Sequence, residues 1–202
     1  MNKARIAVLV SGGGTNLQAL IDAEKSGIIN SGEITLVISN KEDAYALRRA
    51  EKAGIKTAVV RKKDFDGASA FEDRLIETLE NNCTDLIILA GFMCILSEKF
   101  TSHFEKRIIN VHPSLIPSFC GEGFYGLKVH EAALAKGVKV TGATVHFVNE
   151  IPDGGEIIAQ KAVEILDGDT PEILQKRVME QAEWIILPLA AEKVSKEITE
   201  KR

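Results

Sequence analysis

Asn110 and His112 flank Val111 and lead into Pro113, at the end of a short run rich in β-branched residues. If that run is a strand, its period of two sends the amide and the imidazole to one face, where both can reach one reacting atom. A carbonyl under attack by an amine needs such a pair: a donor for the developing oxyanion, and a group that exchanges protons near neutral pH. A structural histidine satisfies the same pattern, so the pair alone does not decide. Further along, Asp153 precedes Gly154 and Gly155 in a connection whose glycines allow tight backbone geometry. Turn chemistry explains this aspartate unless folding brings it to His112.

A third cluster, Ser11 to Asn16, contains Gly12, Gly13 and Gly14 between an apolar run and a helical stretch. Small residues there let backbone N–H groups approach an anion, and the helix start adds positive potential, so Gly14, Thr15 and Asn16 are candidates to hold a phosphate. A tight turn needing glycine only for its geometry is the alternative. A dinucleotide fits poorly, because Leu17 occupies the third glycine's place in GxGxxG and the second strand ends in Ser39, Asn40 and Lys41 without the acidic ribose partner. No Gly-Lys-Ser/Thr follows, which excludes a Walker loop. Among the remaining histidines, His103 and His130 are expected on helix surfaces. His146, inside a strand, fits either core support or a role behind the site.

These residues must be positioned by a scaffold. The chain of 202 residues is 45% hydrophobic, enough for one substantial core. Its 25 basic and 29 acidic residues are interspersed, with a formal charge of -4, and form no footprint for nucleic acid or an anionic membrane. The first apolar run, Ile6 to Val10, is far shorter than a signal-peptide core, and no later run approaches the ~18 residues of a span. Cys83, Cys94 and Cys120 are odd in number and lie in no metal-ligand spacing. A cytoplasmic protein acting on small molecules, without a metal, is expected.

Short β-branched runs alternate with amphipathic stretches, the signature of βαβ units. Strands are predicted at Arg5 to Val10, Ile34 to Ser39, Thr57 to Val60, Leu86 to Ala90 and Ile108 to His112. Ser69 and Glu72 form a capping-box pattern before Phe71, Leu75 and Leu79 line one helical face. Gly121, Gly123 and Gly126 mark an aperiodic loop, and a short helix follows around Val129 to Ala135. Thr141 to Phe147 and Glu156 to Val163 read as two strands joined by Asn149 to Gly155, an antiparallel hairpin at the sheet's far edge. Thr170 is placed as N-cap with Pro171 in the first helical position; Leu174, Val178, Ala182, Ile185 and Leu189 extend an apolar stripe, and Pro188 should kink or break the helix. The pattern is a single α/β domain over residues 1–202, an open, mostly parallel twisted sheet with helices on both faces. Ligands in such sheets bind outside the carboxyl ends of the strands.

With the clusters and their order in view, the sequence resembles the phosphoribosylglycinamide formyltransferases from about Ile6 to Pro188. The carrying segments are Ser11 to Gln18, Ser39 to Lys41, Leu89 to Met93, Asn110 to Pro117, Thr144 to Phe147 and Asp153 to Gly155. The resemblance implies a Rossmann-like formyltransferase fold. It also implies direct transfer of the formyl group of 10-formyltetrahydrofolate to the amine of glycinamide ribonucleotide, in purine biosynthesis, by a monomer or homodimer without a metal. It assigns catalysis to Asn110, His112 and Asp153, with Asp153 raising the pKa of His112 so that the protonated ring can serve the oxyanion. Gly14, Thr15, Asn16 and Glu183 would hold the ribonucleotide. Met93, Cys94, Ile95, Leu96, Asn110, Asn149, Glu150, Ile151, Pro152 and Asp153 would line the folate site. The chain departs from the family where Cys94 replaces the usual arginine and where Ala68 stands at a position that can carry another. The related methionyl-tRNA formyltransferases and formyltetrahydrofolate hydrolases share the Asn-x-His pattern and a distant aspartate but resemble longer chains with an additional domain.

Overall fold

Alternation along β1 (Ala4–Val10) shows how the core is divided: Ile6, Val8 and Val10 pack on one face of a sheet, Ala7 and Leu9 on the other. The computed structural model describes residues 3–202. After β1 the chain continues through α1 (Thr15–Lys25), β2 (Gly32–Ser39), α2 (Tyr45–Lys52), β3 (Lys56–Val59), α3 (Ala68–Asn81), β4 (Leu86–Leu89), α4 (Glu98–His103) and β5 (Ile108–His112). It ends with α5 (Leu127–Lys136), β6 (Val140–Phe147), β7 (Ile157–Glu164), α6 (Pro171–Val178), a π-helical turn at Met179–Glu183, and α7 (Trp184–Glu200). Among the described residues, seven strands are ordered β3-β2-β1-β4-β5-β6-β7, parallel up to β5 and antiparallel for β6 and β7. The expected α/β architecture and terminal hairpin are therefore observed.

Residues of α1, α2, α6 and α7 cover the face of Ile6 and Val8, while Phe71, Leu75 and Leu79 of α3 and Phe100 of α4 cover the other. Strand order reverses beside β1, where β2 lies on one side and β4 on the other. The carboxyl ends of β1, β4 and β5 consequently open onto one crevice, the place where open α/β sheets bind ligands. Among the described residues, no helix is long and apolar enough to cross a membrane.

Several local expectations are corrected. Ser69 lies inside α3, which is capped by Gly67 at φ 94°. Glu72 is buried, and its carboxylate accepts from the backbone N–H of Ser97 at 2.8 Å and from the Ser97 hydroxyl, tying α3 to the start of α4 rather than closing a capping box. At the other end, Thr170 does cap α6, with Pro171 following it. The predicted stripe then fails after Ala182: Ile185 and Leu189 are 43% and 54% exposed, while Ile186, Leu187, Ala190, Ala191 and Val194 are buried. The π turn holds an extra residue per turn and so moves the buried face onward by about one position. Pro188 does not end the helix, since α7 runs through it to Glu200.

Candidate active site

The antiparallel register of β5 and β6 sets Asn110 opposite His146 and His112 opposite Thr144. Asn110 Nδ2 lies 3.2 Å from His146 Nε2, and His146 Nδ1 lies 2.7 Å from the carbonyl of Phe147. A carbonyl only accepts, so His146 carries a proton on Nδ1, while Nε2 faces both the Asn110 amide and the Asp153 carboxylate. His146 thus holds Asn110 from the neighbouring strand, a role that β-strand periodicity alone could not assign.

Asp153 arrives from the β6–β7 connection with a left-handed backbone, φ 56°. Behind it, a Cβ on Gly155 would stand 1.8 Å from the carbonyl oxygen of Phe147, so that glycine is required by close approach. The turn reading of Asp153–Gly155 is correct for the glycines, and it delivers the aspartate to the histidines. Asp153 Oδ2 lies 3.4 Å from His112 Nδ1 and Oδ1 lies 3.5 Å from His146 Nε2. The N–H of Gly121 also donates to Asp153 at 2.9 Å. Burial alone would raise the carboxyl's pKa, but the facing His146 and His112 rings and the Gly121 N–H hold it below the ordinary value.

His112 behaves differently from the expectation. Burial pushes its imidazole below the ordinary value, and Asp153 offsets only part of that cost. Its Nε2 donates to the carbonyl of Phe119 at 2.8 Å, so both ring nitrogens face protein groups. Phe119 belongs to the glycine-rich loop and also has a positive φ, 50°. The loop therefore engages the histidine through Phe119 and the aspartate through Gly121.

A cavity of about 140 Å³ opens beside these groups. Its wall includes Cys94, Ile95, Leu96, Asn110, Asn149, Glu150, Ile151, Pro152 and Asp153, together with Leu89, Phe92, His146 and Val148. Ile95 and Ile151, 78% and 57% exposed, stand at its rim. Met93 is absent from the wall; its N–H donates to Ser11 Oγ at 2.8 Å, and its side chain is exposed.

The glycine cluster makes the predicted strand-to-helix turn. Gly14 is the N-cap of α1 at φ 72°, and a Cβ there would lie 2.6 Å from that of Ala46, so both conformation and packing require glycine. Gly12 and Gly13 are required by neither: no φ in the left-handed region is recorded for them, and an added Cβ meets nothing within 4 Å. Their smallness leaves the turn open to solvent at the helix start, where the first N–H groups lack intrahelical partners. Asn16 Nδ2 donates to Glu183 Oε2 at 2.7 Å, bringing the last helical region to this turn. Burial raises the Glu183 carboxyl to about 7, against the lowering effect of the Asn16 bond.

His103 is exposed and pairs with Glu80, as expected. His130 is not on the surface: it is fully buried on the inner side of α5, neither ring nitrogen has a partner among the described residues, and burial followed by the nearby His112 lowers it to about 4. The helix presents Val129, His130 and Ala133 inward, a face the short apolar pattern left ambiguous. The cysteines are free. No group of three or more His, Cys, Asp or Glu side chains among the described residues is arranged to hold a metal ion.

The sequence profile of the formyl transferase family matches residues 4–190. The phosphoribosylglycinamide formyltransferase of Haemophilus influenzae is 46% identical over 185 residues, covering 92% of this chain and 84% of that protein. The trifunctional purine biosynthetic protein adenosine-3 of Gallus gallus is also 46% identical, over 96% of this chain, but the chain spans only 19% of that longer protein. Glycinamide ribonucleotide transformylase 1 of Symbiobacterium toebii superposes with a TM-score of 0.90 at 41% identity, over 96% of this chain and 89% of that one. Fold and sequence agree, and on them the chain belongs to the formyl transferase family.

Proposed function

We propose that the chain transfers the formyl group of 10-formyltetrahydrofolate to the primary amine of glycinamide ribonucleotide, as a cytoplasmic step of purine synthesis that needs no metal. The observation that carries this reading is the convergence of Asn110, His112 and Asp153, from a strand end and a distant hairpin, beside a cavity at the carboxyl edge of the sheet. The cavity, walled by Cys94 to Leu96 and Asn149 to Asp153, takes the folate. The start of α1 at Gly14, Thr15 and Asn16 takes the phosphate. Glu183 turns its carboxyl to the same substrate, and its raised pKa lessens its repulsion of a phosphate beside it.

The amine nitrogen attacks the formyl carbon, forming a carbon–nitrogen bond and an oxyanion to which the Asn110 amide donates. His112 enters neutral. When Phe119 withdraws, its proton sits on Nδ1 toward Asp153, and Nε2 accepts the proton released by the amine. Asp153 stabilises the imidazolium so formed. The ring then returns this proton to N10 of the folate as the bond from formyl carbon to N10 breaks, so atoms and charge balance without an external reactant.

The test is a formyl-transfer assay with both substrates, following tetrahydrofolate release and formylated ribonucleotide. Stoichiometric appearance of both products is expected. Folate turnover that is independent of the ribonucleotide would refute the transferase assignment in favour of hydrolysis.

A further inference from the structure

The glycine turn before α1 is held from behind by α2. The N–H of Ala46 donates to the carbonyl of Gly12 at 3.0 Å, and Arg49 Nε donates to the carbonyl of Gly13 at 2.8 Å. In a trans peptide the carbonyl and the N–H that follows it point in opposite directions. Fixing these two carbonyls toward α2 therefore turns the N–H groups of Gly13 and Gly14 away from it. Neither has an acceptor among the described residues, and neither do the N–H groups of Thr15 and Asn16. Consecutive donors are thus left for a ligand. Beside them stands Glu183, 6% exposed, which accepts from Asn16 through Oε2 and whose other carboxyl oxygen has no partner among the described residues.

Arg49 is fixed before any ligand arrives. Its Nη1 donates to Gln18 Oε1 at 3.1 Å, and its guanidinium carbon lies 5.0 Å from the centre of the Tyr45 ring. A carbonyl, an amide and an aromatic face together use the planar fork that lysine lacks. No carboxylate pairs with Arg49 among the described residues, so its charge is not cancelled at the turn. Its charge-assisted bond to the Gly13 carbonyl polarises that peptide and makes the Gly14 N–H a stronger donor.

We propose that Arg49 is the positioning residue for the phosphate of the ribonucleotide: it aims and polarises the Gly14 N–H from behind the turn, and so selects a phosphorylated acceptor over an unphosphorylated one. The inference rests on the formyl-transfer reading and adds to it a residue of α2 that acts through the turn. Losing one charge-assisted hydrogen bond corresponds to roughly a 10-fold change in binding.

Arg49→Met keeps the side chain's length and its contact with Tyr45 but removes the donors and the charge. The expected result is a ribonucleotide KM raised roughly 10-fold, a folate KM changed by less than about 2-fold, and kcat near that of the parent. The unphosphorylated glycinamide riboside should be used equally poorly by parent and variant. Arg49→Lys restores the charge and one donor, so it should bring the ribonucleotide KM back to about 3-fold above the parent, and it carries the comparison if the methionine variant does not fold. Arg48→Met makes the same charge change on an exposed neighbour in α2, and both KM values should stay within about 2-fold.

A ribonucleotide KM unmoved in both Arg49 variants, a parallel rise in the folate KM, or an equal effect of Arg48→Met would overturn the proposal. If the parent transfers no formyl group, the formyl-transfer reading falls instead, and inorganic phosphate titrated against the Gly13 and Gly14 amide resonances decides Arg49 by itself. Phosphate binding that Arg49→Met weakens supports the role; binding of equal strength, or none, ends it.

Discussion

Two buried ionisable groups oppose each other in their effect on stability, and removing either should expose the other. His130 falls from 6.5 to about 4 on folding, so the unfolded chain holds its proton more tightly. A histidine with a depressed folded pKa contributes stability above its unfolded value that is lost as pH falls toward the folded one. Between pH 7 and pH 5 this loss is about 2 kcal/mol by linkage. Glu183 rises from 4.5 to about 7, so the folded chain holds its proton more tightly. Its contribution is fully present below the unfolded value and is lost as pH rises through the folded one. Over the same interval that is again about 2 kcal/mol, with the opposite sign. The two slopes nearly cancel in the parent protein.

His130→Leu should therefore leave a protein that loses about 2 kcal/mol more than the parent as pH rises from 5 to 7, and Glu183→Gln one that gains about as much over the same range. Urea unfolding at pH 5, 6 and 7 gives the comparison, and taking variant minus parent removes the titrations common to both. Because the His130 ring nitrogens have no partners, an apolar replacement should not lower stability at pH 7. A His130→Leu profile parallel to the parent's would refute the reasoning, since it would mean that water reaches the imidazole and leaves its pKa ordinary. A histidine carbon resonance titrating near pH 6.5 at this position would do the same.

Two further outcomes are expected at the site. Asp153→Asn keeps the side chain's shape but removes the charge that offsets the burial of His112; turnover should fall by about 100-fold or more with KM values little changed, and the His112 titration should move lower still. Near-normal turnover with an unmoved histidine would reduce Asp153 to a turn residue. Thr15→Asp places a carboxylate in the first turn of α1, where the helix tolerates it and a phosphate does not; the ribonucleotide KM should rise at least about 10-fold and the folate KM by less than about 2-fold. Gly14→Asp would be a poorer probe, since any Cβ there meets Ala46 at 2.6 Å and the backbone is left-handed.

The sheet was legible because its strands are β-branched runs bounded by glycine, proline and polar residues, and because two-residue alternation in β1 matches the two faces it serves. Asn110 and His112 were legible for the same reason: a strand's period needs no tertiary knowledge. His146 was not, because its value comes from standing opposite Asn110 in β6, and the sequence carries no register for two strands separated by a loop and a helix. His130 misled because one histidine in a ten-residue helix leaves the inward direction undetermined until α5 is docked. The apolar stripe of the last helix holds as far as Ala182 and then shifts, since a π turn changes which residues face inward without changing their types. That turn carries Glu183 to Asn16 and hence to the start of α1. A strictly α-helical continuation, with about 3.6 residues per turn, would have kept Ile185 and Leu189 inward, so the same register change that leaves them exposed also sets the direction of the side chains around Glu183. The shift of the stripe and the carboxyl beside the glycine turn thus share one structural cause, and that cause is set only when the helix is packed.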